Sequence, residues 1–149
     1  MPFDIDKIGA GEWFPFRDSR IDENGEVEWL PVESDEKVCF KQVSPDRFRE
    51  INDKYKGKKI NHMAQNPATR SMELVVEYEQ SPAQEKASRM EFWDEAIVDW
   101  DIKTPDGEQI PCNAENKYKL VTGDQRFLRY ANKCLQLISG VKEDEEKNF

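Results

Sequence analysis

The chain has 149 residues, enough for one domain with a real hydrophobic core and too few for two well-filled ones. Its 31 acidic residues outnumber 22 basic ones, and the net charge of −9 opposes unaided binding to DNA, RNA or an anionic membrane, since those contacts rest on Lys and Arg. Eight Phe, four Tyr and four Trp argue against general disorder, and no apolar run approaches the roughly 18 residues that span a bilayer.

Residues 1–10 show no period and read as a loose arm. Glu12 to Arg17 is aromatic and extended, and Pro15 suits an edge strand because it cannot donate to a second neighbour. Asp22-Glu23-Asn24-Gly25 is a turn, with Asn-Gly the preferred hairpin pair. Glu26 to Val32 and Lys37 to Val43 alternate apolar and polar residues. Together the three segments predict a small antiparallel sheet. Ser44-Pro45-Asp46 announces a helix, with Ser44 at the N-cap and Pro45 in the first turn. Phe48, Ile51 and Tyr55 form its inner face, Gly57 ends it, and its place after the strands predicts that it lies on the sheet. Lys58 to Ser71 has no legible period beyond the Asn66-Pro67 turn. Met72 to Tyr78 fits a strand or the start of the next helix. The strand is favoured because Ser81-Pro82 begins a helix afresh.

A helix is expected from Pro82 to about Trp100. Met90, Trp93, Ile97 and Trp100 follow the i, i+3, i+7, i+10 spacing of one helical face. Pro105-Asp106-Gly107 is a turn. Asn113 caps a short helix from Ala114 to Val121, with Glu115 near its positive end and Tyr118 plus Val121 or Leu120 inward. Thr122-Gly123-Asp124 breaks it, and Asp124 caps a last helix from Gln125 to Ser139. There Phe127, Ala131, Cys134 and Ile138, flanked by Leu128 and Leu135, make a wide apolar stripe. Gly140 stops it, and Lys142 to Phe149 reads as a disordered acidic tail. The expected fold class is α+β: a small N-terminal antiparallel sheet with one packed helix, then a helical C-terminal half. Residues 1–141 are expected to form one domain, sheet-rich over 12–79 and helical over 80–140.

No pattern in the chain carries recognisable catalysis. His62 stands alone, without a second His or a Cys pair for a metal. Cys39, Cys112 and Cys134 form an odd set without CxxC spacing, and Asp4, Asp6 and Lys7 interrupt any leader after Met1. Reduced thiols and a cytoplasmic location are expected. Asp99, Asp101 and Asp106 ahead of Gly107 miss the calcium-loop pattern, because Lys103 holds a ligand position and Pro105 breaks the register. Asp22 and Asn24 miss it too, with Arg20 at the first ligand position. No phosphate-binding loop occurs. The expectation is therefore a protein that is not an enzyme and needs no cofactor, metal, nucleic acid or membrane. The basic run Lys54 to Lys59 reads as a solvated helix end. Trp93, Trp100, Phe127, Leu128 and Leu135 are the candidates for binding a protein partner. Their competing role is to anchor the core between the two long helices.

A resemblance sharpens this. Trp93, the Ile97-Val98-Asp99-Trp100 step, Asp106-Gly107, Ile110-Pro111-Cys112, Glu115-Asn116-Lys117, Leu120, Phe127 and the terminal Glu146-Lys147-Asn148 resemble the tail assembly chaperones of tailed bacteriophages and prophages. The likeness covers roughly the C-terminal third. It implies a protein that binds the long, aggregation-prone tape measure protein and hands it to tail tube subunits, in the cytoplasm of the host bacterium. It also implies a longer form made by −1 frameshifting, for which Glu146-Lys147-Asn148 permits the slippery codons GAA-AAA-AAC. Two other roles fit the composition: a virion structural or connector protein, and an acidic inhibitor that mimics nucleic acid.

Overall fold

The computed structural model describes residues 10–139. The expected arm before Ala10 and the acidic tail over 142–149 lie outside them. The fold is α+β, mostly strands in the N-terminal half and mostly helices in the C-terminal half. Its centre is a three-stranded antiparallel sheet of β1 (Glu12–Pro15), β4 (Lys37–Phe40) and β7 (Ile97–Asp101), with β4 in the middle. Pro15 sits on an edge strand, opposite Lys37.

The three strands assigned to one sheet by pattern are divided between two sheets. β3 (Val27–Trp29) pairs with β2 (Ser19–Ile21), a strand whose three residues are too few to show alternation. The loop between them holds Glu23, Asn24 and Gly25 inside an Asp22 N–H to Glu26 carbonyl bond of 2.9 Å. Gly25 takes φ +80°, which lets a three-residue loop close. The Asp22 carboxylate accepts from the N–H groups of Asn24 and Glu26, so its role is the turn and not a cation.

The third strand of the central sheet comes from the middle of the expected long helix. α2 (Pro82–Ala96) opens with a complete capping box from Ser81 and Gln84, but it stops at Ala96. Ile97 is already extended, and β-branched Ile97 and Val98 begin β7, paired with β4. The register slips between Cys39 and Phe40: Asp99 lies opposite Cys39, and Ile97 lies opposite Phe40. Val98 is the extra, exposed residue of this bulge. A regular strand would turn Ile97 and Trp100 to opposite faces; one inserted residue sends both to the core. That is why a strand imitates helical spacing.

The helices also pack differently from expectation. α1 (Pro45–Lys54) has the Ser44 cap and first-turn proline, yet it lies against α2 and not on the sheet. Only Ile51 of its predicted face is buried. Phe48 remains half exposed, edge-on to Phe92 at 6.0 Å. Arg47 ties the two helices to Glu95 at 2.9 Å and Glu91 at 3.4 Å, and Lys54 adds a 3.0 Å bond to Glu91. The sheet is covered instead by α4 (Gln125–Ile138), whose stripe of Phe127, Ala131 and Cys134 meets Val38, Phe40, Ile97 and Trp100 in one buried cluster. Tyr130 completes it, edge-on to Phe40 and Phe127, and its hydroxyl donates to the Phe14 carbonyl at 2.7 Å. Burial pushes the Tyr130 phenol and the Cys134 thiol far above their usual pKa values.

α3 (Ala114–Gly123) starts where Asn113 accepts from the Asn116 N–H, and Asp124 accepts from Arg126 and Phe127 to start α4. Val121 faces inward, as does Lys117, whose ammonium donates 3.0 Å bonds to the backbone and side-chain oxygens of Asp94. Lys117 thereby satisfies a carbonyl in the last turn of α2, one of the groups a helix end leaves without an internal partner.

Between α1 and α2 lies the segment without a legible period. It forms β5 (Lys58–Gln65), paired residue for residue with β6 (Met72–Glu79) through a turn that contains Asn66-Pro67. Met72 to Tyr78 is thus a strand.

Candidate functional site

The five side chains singled out as partner contacts belong to the core or its margin. Trp100 and Phe127 are each 3% exposed and meet edge-on at 6.4 Å. The Trp100 indole N–H donates to the Ile110 carbonyl at 2.7 Å, so its polar edge is spoken for as well. Trp93, Leu128 and Leu135 are half-buried and pack on the same cluster. The structure brings all five together around α4, in a place that this chain covers itself.

Exposed apolar surface is concentrated elsewhere, on the β5–β6 ribbon. Directly paired residues of antiparallel strands share a face. One face therefore carries Met63, Met72, Leu74, Val76 and Tyr78 beside Lys59, Asn61 and Gln65. All five apolar side chains there are 45–64% exposed. The other face carries Ile60, Ala64 and Val75 among Lys58, His62, Glu73, Glu77 and Glu79. Its apolar residues are partly buried, and polar side chains stand between them, with His62 and Glu77 3.4 Å apart. One side of the ribbon is finished for water and the other is not.

The ribbon stands largely by itself: β5 and β6 pair with each other and have no extensive packing on any other element. Its base is held by the Gln80 side chain donating to the Tyr55 carbonyl and by the Lys56 ammonium 4.6 Å above the Tyr78 ring. Gly57 permits the tight approach there, with φ +82° and no room for a Cβ beside the Glu79 carbonyl. An isolated two-stranded ribbon is marginal in water, and a third strand or a helix against its apolar face is the usual remedy. Within the Lys54 to Lys59 run, Lys54 is held by Glu91 and the Lys56 ammonium lies over the Tyr78 ring.

Other places offer less. In a hollow of about 1010 Å³ lined by Glu12, Lys41, Ser44, Arg47 and Glu95, both cations are paired with Glu95, Arg47 at 2.9 Å and Lys41 at 3.8 Å. Among the described residues no three His, Cys, Asp or Glu side chains are grouped to hold a metal ion. No helix among them is long and apolar enough to cross a membrane. Cys39, Cys112 and Cys134 are free thiols, and burial pushes the pKa of each upward. The alternation from Met72 to Tyr78 was a sequence signal for the strand. Nothing in the residues said that its apolar side would be left uncovered. No family model matches the chain, and neither a curated protein nor a solved structure matches it.

Proposed function

We propose that the chain is a tail assembly chaperone of a tailed bacteriophage or prophage. It holds the tape measure protein in the host cytoplasm until tail tube subunits take it over. The reading of the family rests on the resemblance in the C-terminal third. The single structural observation that supports a binding role is the exposed apolar row of the ribbon, Met72, Leu74, Val76 and Tyr78 with Met63 beside it. An amphipathic helix laid on this row buries side chains that are now about half exposed. At roughly 1 kcal/mol for each, that is about 5 kcal/mol from this face before the costs of association and ordering, to which the client's own buried side chains add. The net charge of −9 keeps a chaperone with its client in solution.

The test is co-expression with the long helical protein encoded immediately downstream. That protein is expected to be insoluble alone, and soluble and co-purifying when this chain is present. A client that stays insoluble, or recovery of this chain as a component of purified particles, contradicts the reading and favours a virion structural role.

A further inference from the structure

The ribbon also has two free edges, and their charges are opposite. β5 carries Lys58, Lys59 and His62 and no carboxylate; β6 carries Glu73, Glu77 and Glu79 and no base. Each strand is bonded on one side only, so alternate N–H and C=O groups of both point outward. A strand shows the same side chains to whatever pairs with either of its edges. β6 already accepts β5 on its inner edge in a defined register, with Lys58 opposite Glu79 and Ile60 opposite Glu77. The outer edge of β6 therefore offers a second β5 the same row of partners.

From this we infer that copies of the chain associate head to tail, β5 of one copy adding to the outer edge of β6 of the next. The sheet order is then β5-β6-β5-β6 across two copies. Charge selects this arrangement over the symmetric ones. Two β6 edges meeting antiparallel about Val75 set Glu73 against Glu77 of the second copy, a like-charge pair that destabilises a sheet. Two β5 edges have no carboxylate between them and so form no opposite-charge pair. Head-to-tail pairing instead repeats Lys58 against Glu79 and completes the backbone ladder. It also turns a marginal two-stranded ribbon into a four-stranded sheet. Because it leaves a free β5 at one end and a free β6 at the other, the contact continues until a ring closes or a filament grows. None of this depends on what the apolar face binds.

The experiment is sedimentation of the full chain from micromolar to millimolar concentration at physiological salt. The weight-average mass is expected to rise to twice the monomer and beyond; a monomer throughout overturns the inference. Lys58→Glu/Lys59→Glu and Glu77→Lys/Glu79→Lys are each expected to stay monomeric alone and to associate when mixed in equal amounts, since an acidic edge then meets a basic one. Association of either variant by itself, or a mixture that stays monomeric, contradicts it. These substitutions also remove the charge match inside the ribbon, so the wild-type chain supplies an independent reading. Alternate β6 amides should exchange more slowly as concentration rises. Exchange that does not change with concentration overturns the proposal.

Discussion

Two antiparallel pairings in this molecule use similar residues and end in opposite states. β4 and β7 place Val38, Phe40, Ile97 and Trp100 on one face, and α4 seals that face so that none is more than 3% exposed. β5 and β6 place Met63, Met72, Leu74, Val76 and Tyr78 on one face, and nothing among the described residues seals it. The difference lies in the third layer. A strand's pattern states which side is apolar; only another element decides whether that side becomes a core or a surface that seeks a partner.

Breaking the sealed pairing should cost the most. Trp100→Ala removes a fully packed ring and its hydrogen bond to Ile110, and a loss of about 3–5 kcal/mol is expected in chemical denaturation. A loss near zero with partner binding abolished would move Trp100 from the core to a site.

Lys117→Met should cost less, about 1–3 kcal/mol, because it keeps the buried stem but leaves the Asp94 carbonyl without its donor. Unchanged stability would mean that water replaces the ammonium at no cost and that Lys117 does not hold the α2–α3 corner.

Asp124→Ala should cost about 1 kcal/mol by uncapping α4. This cap also gives the fold an acid limit. Burial alone would raise the Asp124 pKa, but the Arg126 side chain and the N–H groups of Phe127 and Arg126 outweigh it and hold it low. Glu91 is held low as well, mainly by Lys54, against burial. A lowered folded pKa stabilises the fold fully above the unfolded carboxylate values of about 4, and the contribution disappears as pH falls through the folded value. Melting temperature should therefore drop on acidification below about pH 4, and Glu91→Gln should flatten that drop. An acid profile unaltered by Glu91→Gln would show that the α1–α2 ion pairs carry no linkage.

Much of the fold was legible where local chemistry decides it. Ser44, Ser81, Asn113 and Asp124 each cap the helix their residue type predicts, because a cap needs only its own next three residues. What escaped was decided at long range. The bulge at Val98 puts Ile97 and Trp100 on one face of a strand, and their spacing then copies a helix. β5 showed no pattern because Lys58, Asn61, His62 and Gln65 take their order from β6 and not from a buried side of their own. The burial of the candidate side chains has a related reason. Large aromatic rings invite a binding role, yet Trp100 and Phe127 are the residues with the most to gain from burial, and the fold uses them first. The surface left over is made of Met, Leu, Val and Tyr on a ribbon whose exposure only the tertiary arrangement reveals.

The most direct measurement joins the two regions in one variant. Leu74→Asp lies on the open face, and its effect on folding stability should stay within about 0.5 kcal/mol, since the side chain is 64% exposed and outside the core. Titrating the wild type and this variant with the proposed client, a tape measure protein, each with its melting temperature recorded, separates folding from binding. The expected result is an unchanged melting temperature and at least a tenfold loss of affinity, about 1.4 kcal/mol. Wild-type affinity in a folded Leu74→Asp variant would contradict the assignment of the ribbon face as the place where the partner is held.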